Sequence, residues 1–266
     1  MGIFFATSLN MKKNLSLIFV LFLSLSAFAQ DLPYLKESVF KPGEVLKYKL
    51  KYGFISAAEG TLKVEASDLT FDQQPTVHLS AQGKTSSAFS IFYNVRNRYD
   101  SYIDQKTFLP YFYTENIKEG KYSRTDKVRF DQKKKTVTGN KGTFTGTNQT
   151  FDLLSAYYFA RNLDLSRMSI GQSFKLTYFL NDEVATLGIT YLGKERIKTS
   201  VGTFNCLKFS PEIKPGRIFR KDSKLYLWVT DDGNRIPVKA EVEILIGSVT
   251  LELVDVSGLK YPLNKN

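Results

Sequence analysis

The chain has 266 residues, 42% hydrophobic and 14% aromatic, which excludes a disordered protein and leaves enough apolar material for a sizeable core. Its 37 Lys and Arg against 26 Asp and Glu give a net charge of +11, a balance that favours anionic surfaces. A single Cys and a single His exclude an internal disulfide and the usual His and Cys zinc sets.

The N-terminus has three parts. Met11-Lys12-Lys13-Asn14 is a basic start, residues 15–26 are an apolar run, and Ala27-Phe28-Ala29 is a small-x-small cleavage signal. Residues 1–29 therefore read as a secretory signal peptide cut after Ala29, with residues 1–10 an over-long start ahead of Met11. The apolar run falls short of the roughly 20 residues of a spanning helix. No later stretch reaches that length, so no transmembrane segment is expected in the mature chain. No cysteine follows the expected cut, so a lipid-anchored form is not expected and the location reads as periplasmic or secreted. Losing Lys12 and Lys13 without any acid lowers the net charge by two, to +9. Export makes nucleic acid the least expected anionic partner.

From residue 44 onward, period-two alternation dominates. In residues 44–52, Leu46, Tyr48, Leu50 and Tyr52 share one face and Lys47, Lys49 and Lys51 the other. Residues 61–66, 76–82 and 173–180 repeat the pattern, each reading as an antiparallel strand with one covered and one wet face. Gly, Asp and Asn clusters separate them, and the lysine-rich stretch 132–135 reads as a solvated hairpin tip. Residues 86–95 read as a short helix or turn. Residues 150–164 place Leu153, Tyr157 and Ala160 at helical spacing, with Thr150 as candidate N-cap. The last third adds β-rich runs at 224–229, 237–247 and 249–256, the final two joined by a tight Gly247-Ser248 hairpin.

Candidate chemistry is sparse. Cys206 shares a strand face with Phe204, while His78, its only available base, lies on a polar strand face more than a hundred residues upstream. Cys206 therefore reads as core. Asp231-Asp232 beside Gly233-Asn234 reads as a turn, since these residues tolerate left-handed backbone and bond their own chain. No calcium-loop spacing, nucleophile elbow, phosphate loop or dinucleotide fingerprint is present, so no catalytic residue, metal ligand or cofactor is expected. The distinctive signal is 21 Phe and 15 Tyr clustered at 89–99, 108–122 and 156–161 with Lys and Arg between them. Such strands fill a wide bent core or line a groove.

Residues 40–65 carry a Gly-Glu, an alternating strand, a Tyr-Gly turn and a second strand. Stretches 101–113, 119–131, 152–165, 201–209 and 227–241 follow in order. The whole resembles the exported bacterial family catalogued as domain of unknown function 3108. That resemblance implies a β-rich, single-domain envelope protein without established catalytic residues.

The expected fold is all-β: one large curved antiparallel sheet, as a half-barrel or a two-sheet sandwich, with one short helix, in a single domain over residues 30–266. The expected function is non-enzymatic binding of an amphiphilic envelope component, a lipid or glycolipid, in an aromatic groove. Tyr99, Tyr111 and Tyr113 are its candidate wall, and Arg96, Arg98 and Arg124 its candidate contacts to an anionic headgroup. Two alternatives stand beside it: an accessory subunit of an envelope assembly with a protein partner, and a hydrolase using two converging carboxylates.

Overall fold

The computed structural model describes residues 34–35, 37–213, 223–244 and 247–265. The expected signal peptide lies outside them. Eight strands, β1 (Val45–Tyr52), β2 (Ile55–Phe71), β3 (Gln74–Thr85), β4 (Arg96–Asp104), β5 (Pro110–Glu119), β6 (Tyr122–Asp131), β7 (Thr136–Gly139) and β8 (Gly142–Thr145), pair in succession as an antiparallel meander. The chain then passes to the far edge of the same sheet, β9 (Thr150–Phe151), and through helix α2 (Leu153–Arg161). From there β10 (Ser173–Leu180), β11 (Glu183–Thr199), β12 (Gly202–Pro211), β13 (Leu225–Thr230), β14 (Pro237–Glu243) and β15 (Ser248–Ser257) return inward until β15 pairs with β1. Helix α1 (Ser87–Ser90) is a single turn between β3 and β4.

The fold is mostly β, as expected. Of the two expected arrangements, one large sheet and a two-sheet sandwich, it is a single fifteen-stranded sheet. It is mixed rather than purely antiparallel, because Thr150 and Phe151 run parallel to Thr177 and Tyr178. Among the described residues two α-helices stand where the expected fold had one, the extra one being the single turn within residues 86–95.

The sheet rolls up on itself, and its connectivity requires this. Its edge strands β8 and β9 are joined by residues 146–149 alone. At about 3.5 Å per extended residue, the two edges lie within about 18 Å. Phe179 on β10 accordingly packs with Val128, Val137 and Phe144 from β6, β7 and β8. Gly146 makes the tight passage: a Cβ there sits 2.6 Å from Thr150 Oγ1. Both edge strands are short, four and two residues, which limits the unpaired backbone they present.

Helix α2 fills the rolled sheet, with Tyr158 and Phe159 packed among Val64, Leu79, Ile103 and Phe174. Its N-cap is Asp152, not the expected Thr150. Thr150 is committed to the parallel bridge, and its hydroxyl accepts from Thr147 N–H. Asp152 instead accepts from the N–H groups of Leu154 and Ser155, while Ser155 Oγ accepts from Asp152 N–H in a reciprocal capping box. The buried residues are Leu154, Ser155, Ala156, Tyr158, Phe159 and Arg161, whereas Leu153 is exposed. A helix enclosed by a sheet needs no single apolar stripe, so Leu153, Tyr157 and Ala160 do not mark its buried side.

Cys206 is fully buried with Phe204 and Ile197, a cluster covered by Leu259 and Leu263 of the C-terminal segment. Burial first, then nearby Asp232 and Asp231, push its thiol up to about 12. The Asp231-Asp232 stretch is a turn: Asp232 Oδ1 accepts from Thr230 Oγ1 and from the N–H groups of Asn234 and Arg235. The last hairpin is longer than expected, since Glu243 pairs with Ser248 and Ile244 N–H bonds to Gly247 O.

Candidate functional site

Because the meander is antiparallel, its turns sort into two groups. The β1–β2, β3–β4, β5–β6, β10–β11 and β14–β15 connections lie at one end, and the β2–β3, β4–β5, β6–β7 and β13–β14 connections at the other.

The second end is closed. Residues preceding β1 fold across it: Leu35 N–H bonds to Asn162 O, Val39 N–H bonds to Asn162 Oδ1, and Val39 and Phe40 join the core. At its centre Arg161 makes a bidentate pair with Glu44, Nη1 to Oε1 at 2.6 Å and Nη2 to Oε2 at 2.9 Å. The guanidinium also donates to Asn234 O and lies over the rings of Phe40, Tyr157 and Tyr158. Burial pulls the Arg161 pKa down, but Tyr157 and Glu44 outweigh it and keep the side chain charged. Glu44, Arg161 and Asn234 come from three separate stretches of the sequence, so this cluster ties β1, α2 and the β13–β14 turn together. It is a fastening: every charged group has a fixed protein partner.

Toward the first end lies a cavity of about 480 Å³. Leu62, Ala81, Ile117, Leu153, Leu154 and Leu180 supply its apolar wall, and Tyr99, Tyr113, Glu115, Tyr157 and Asn181 its polar groups. Register explains the grouping. Leu62 pairs with Ala81, Ala81 with Tyr99, and Tyr99 with Glu115, so one lateral row of four strands presents these side chains to the same face. The next row outward holds Gly60 opposite Gly83, and a Cβ on Gly83 meets nothing within 4 Å. Two facing glycines thus leave the sheet bare beside the cavity, toward the first end, which neither described terminal segment covers and which is the open end of the two. The volume falls within the roughly 300–1,000 Å³ typical of small-molecule sites.

Arg124 stands at the edge of this cavity. Its Nε lies 2.7 Å from Glu115 Oε1, and its Nη2 lies 2.8 Å from Asp126 Oδ2 and 3.4 Å from Asp182 Oδ2. The Glu115 contact is off the N–H direction, an ion pair without a directed hydrogen bond. Lys141 adds a second cation at Asp182, 2.8 Å away. Tyr113 donates to Glu115 Oε2, and burial followed by the Glu115 charge raises the Tyr113 pKa far above the phenolic range.

The six residues expected from the sequence divide between the two faces of the sheet. Tyr99 and Tyr113 line the cavity, and Arg124 adjoins it. Arg98 alternates with Tyr99 and lies on the opposite face, where it binds Asp100 through Nε and Nη2. Arg96 shares that face at the start of β4, opposite Lys84. Tyr111 donates to Asp104 and stacks on Phe71, with its pKa raised to about 12 by burial and then by Asp104. His78 belongs to the same outer network, 2.8 Å from Asp100 and 3.4 Å from Glu65. The cavity residues missed from sequence, Leu62, Ala81, Ile117 and Leu180, carried only strand alternation as a signal. Among the described residues no group of three or more His, Cys, Asp or Glu side chains could hold a metal. No helix among them is long and apolar enough to cross a membrane.

The family comparison agrees with this β-rich architecture. The model described as protein of unknown function (DUF3108) matches residues 47–254, and the chain belongs to that family. Among solved structures, a β-barrel-like protein of the DUF1849 family from Brucella abortus superposes with a TM-score of 0.55 at 9% identity, covering 84% of this chain and 99% of that one. A protein with a YmcC-like fold from Bacteroides fragilis gives 0.39 at 11% identity, covering 83% and 99%. A hypothetical protein from Chlamydia trachomatis gives 0.39 at 7%, covering 85% and 93%. No curated protein matches the sequence. The first likeness defines the fold class as β-barrel-like.

Proposed function

We propose that this protein is a non-enzymatic envelope protein that binds one amphiphilic molecule, a lipid or glycolipid, in the cavity between α2 and strands β2 to β5. The observation that carries the reading is the cavity's composition: an aliphatic wall for a chain, with tyrosines and the Arg124 cluster at one margin for a polar head. The basic, apolar and small-residue pattern of residues 11–29 supports export. Arg124 is shared among three carboxylates, which makes this group an ion-pair cluster rather than a free acid–base couple.

The test is native mass spectrometry of the mature protein purified gently from its own periplasm, followed by organic extraction. A stoichiometric lipid or glycolipid is expected, and its loss in Ala81→Phe, which fills the cavity, with unchanged melting. A clean apo mass at several protein concentrations overturns the reading.

A further inference from the structure

The open end carries an unusual display of apolar side chains. Phe54 at the β1–β2 turn is fully exposed, Ile91 and Phe92 between β3 and β4 are 83% and 84% exposed, and Ile55, Tyr93 and Tyr122 are each about half exposed. These residues come from three adjacent turns that are held together. Ser86 N–H bonds to Ala57 O, Ser86 Oγ bonds to Ser56 O, Gly120 N–H bonds to Asn94 O, and the Tyr93 ring packs over Gly120. Their protrusion is therefore a fixed feature of the end, and folding alone does not account for exposed aromatics on three neighbouring tips.

Cations surround them. Arg96, Lys118 and Lys121 are exposed beside the β3–β4 and β5–β6 turns. None of the three pairs with a carboxylate among the described residues. Of the nearby acids, Glu59 pairs with Lys84, Glu252 with Lys51, and Asp182 with Arg124 and Lys141, while Glu119, between Lys118 and Lys121, accepts from Asn97 Nδ2. Aromatic and aliphatic tips flanked by Lys and Arg that pair with no carboxylate among the described residues fit the boundary of an anionic bilayer, where apolar side chains enter the acyl margin and cations meet headgroups. A protein interface fits less well, since lysine is depleted there.

From this geometry we propose that the open end docks on an anionic membrane surface, with Phe54, Ile91 and Phe92 inserted and Arg96, Lys118 and Lys121 on the headgroups. The proposal deepens the amphiphile reading and rests on it for its purpose: the bare Gly60–Gly83 row lies between the cavity and these turns, so docking turns the cavity toward the bilayer.

Vesicle co-sedimentation of the mature chain tests it, using phosphatidylcholine alone and phosphatidylcholine with a quarter phosphatidylglycerol. Binding to the anionic vesicles is expected to fall at least about tenfold in Phe54→Ser/Phe92→Ser, and by a similar factor in Lys118→Glu/Lys121→Glu. Circular dichroism and melting are expected to stay unchanged in both. Ala81→Phe is expected to dock normally, so docking and cavity occupancy are read separately. A wild type that sediments no better than Phe54→Ser/Phe92→Ser overturns the proposal even if lipid copurifies. So does a wild-type dimer that this variant converts to monomer without any vesicle binding, which makes the patch an interface between copies.

Discussion

Two arginines, one at each end of the rolled sheet, show how differently the same chemistry is used. Arg161 at the closed end has one carboxylate, an aromatic cage and no solvent, its side chain being 2% exposed. Arg124 near the open end has three carboxylates, stands beside an apolar cavity and keeps 20% of its side chain in water. The first arrangement pairs its charges and locks three segments, although the Tyr157 and Tyr158 hydroxyls around it have no hydrogen-bond partner. The second concentrates more acids than its guanidinium can bond well, leaving Glu115 Oε1 and Asp182 Oδ1 buried without a directed hydrogen bond. One end is built to hold, and the other leaves polar groups available near a cavity.

The sharpest way to break the contrast is Arg161→Ala. It strands Glu44 in the core and is expected to cost about 3–5 kcal/mol in urea unfolding. A paired Glu44→Leu/Arg161→Met replacement is expected to recover most of that loss, because stranding one charge is worse than removing both. If the double variant is as unstable as the single, the cluster contributes through packing rather than charge. Arg124→Ala is expected to cost about 1–3 kcal/mol, the range for unsatisfied buried polar groups. Its cost is expected to shrink in 1 M salt while that of Arg161→Ala does not, since screening acts on partly exposed charges.

A smaller effect concerns acid. Burial works against the Asp104 charge, but the N–H groups of Thr107 and Lys106 and the hydroxyls of Thr107 and Tyr111 outweigh it, holding its carboxyl below the usual range. Asp100 is likewise held low: burial opposes its charge, and His78 and Arg98 override it. A depressed folded pKa gives stability that is full above the unfolded value, about 4, and lost as pH falls through the folded one. The urea midpoint is therefore expected to drop below about pH 4, and less steeply in Asp104→Asn. The smallest signal is at Cys206, which is expected to resist a disulfide reagent in native buffer and to react fully once unfolded. Fast native labelling contradicts its buried, high-pKa state.

The elements of the fold were more legible than their assembly. Strands β1 and β10 follow directly from alternation at residues 44–52 and 173–180, because each covers one face. The α2 boundary was displaced because Thr150 and Asp152 are both good caps, and only the parallel bridge to β10 decides between them. The Arg161 cluster unites residues 44, 161 and 234, a convergence that no local pattern announces. Alternation along β4 puts Arg96 and Arg98 on one face, yet which face meets the cavity depends on how the sheet rolls. Alternation reports that two sides exist and not which one becomes the inside.

The pairing of β1 with β15 has a mechanical consequence. These strands are antiparallel neighbours, with Val45 opposite Ser257, so the first strand starts and the last strand finishes side by side at the closed end. Force applied through the two terminal segments must first detach them, breaking the Glu44–Arg161 pair and the contacts of Lys260 with Glu37 and Ser38. It then loads the β1–β15 ladder one hydrogen bond at a time, an unzipping rather than a shear, with the strands that wall the cavity still paired when it opens.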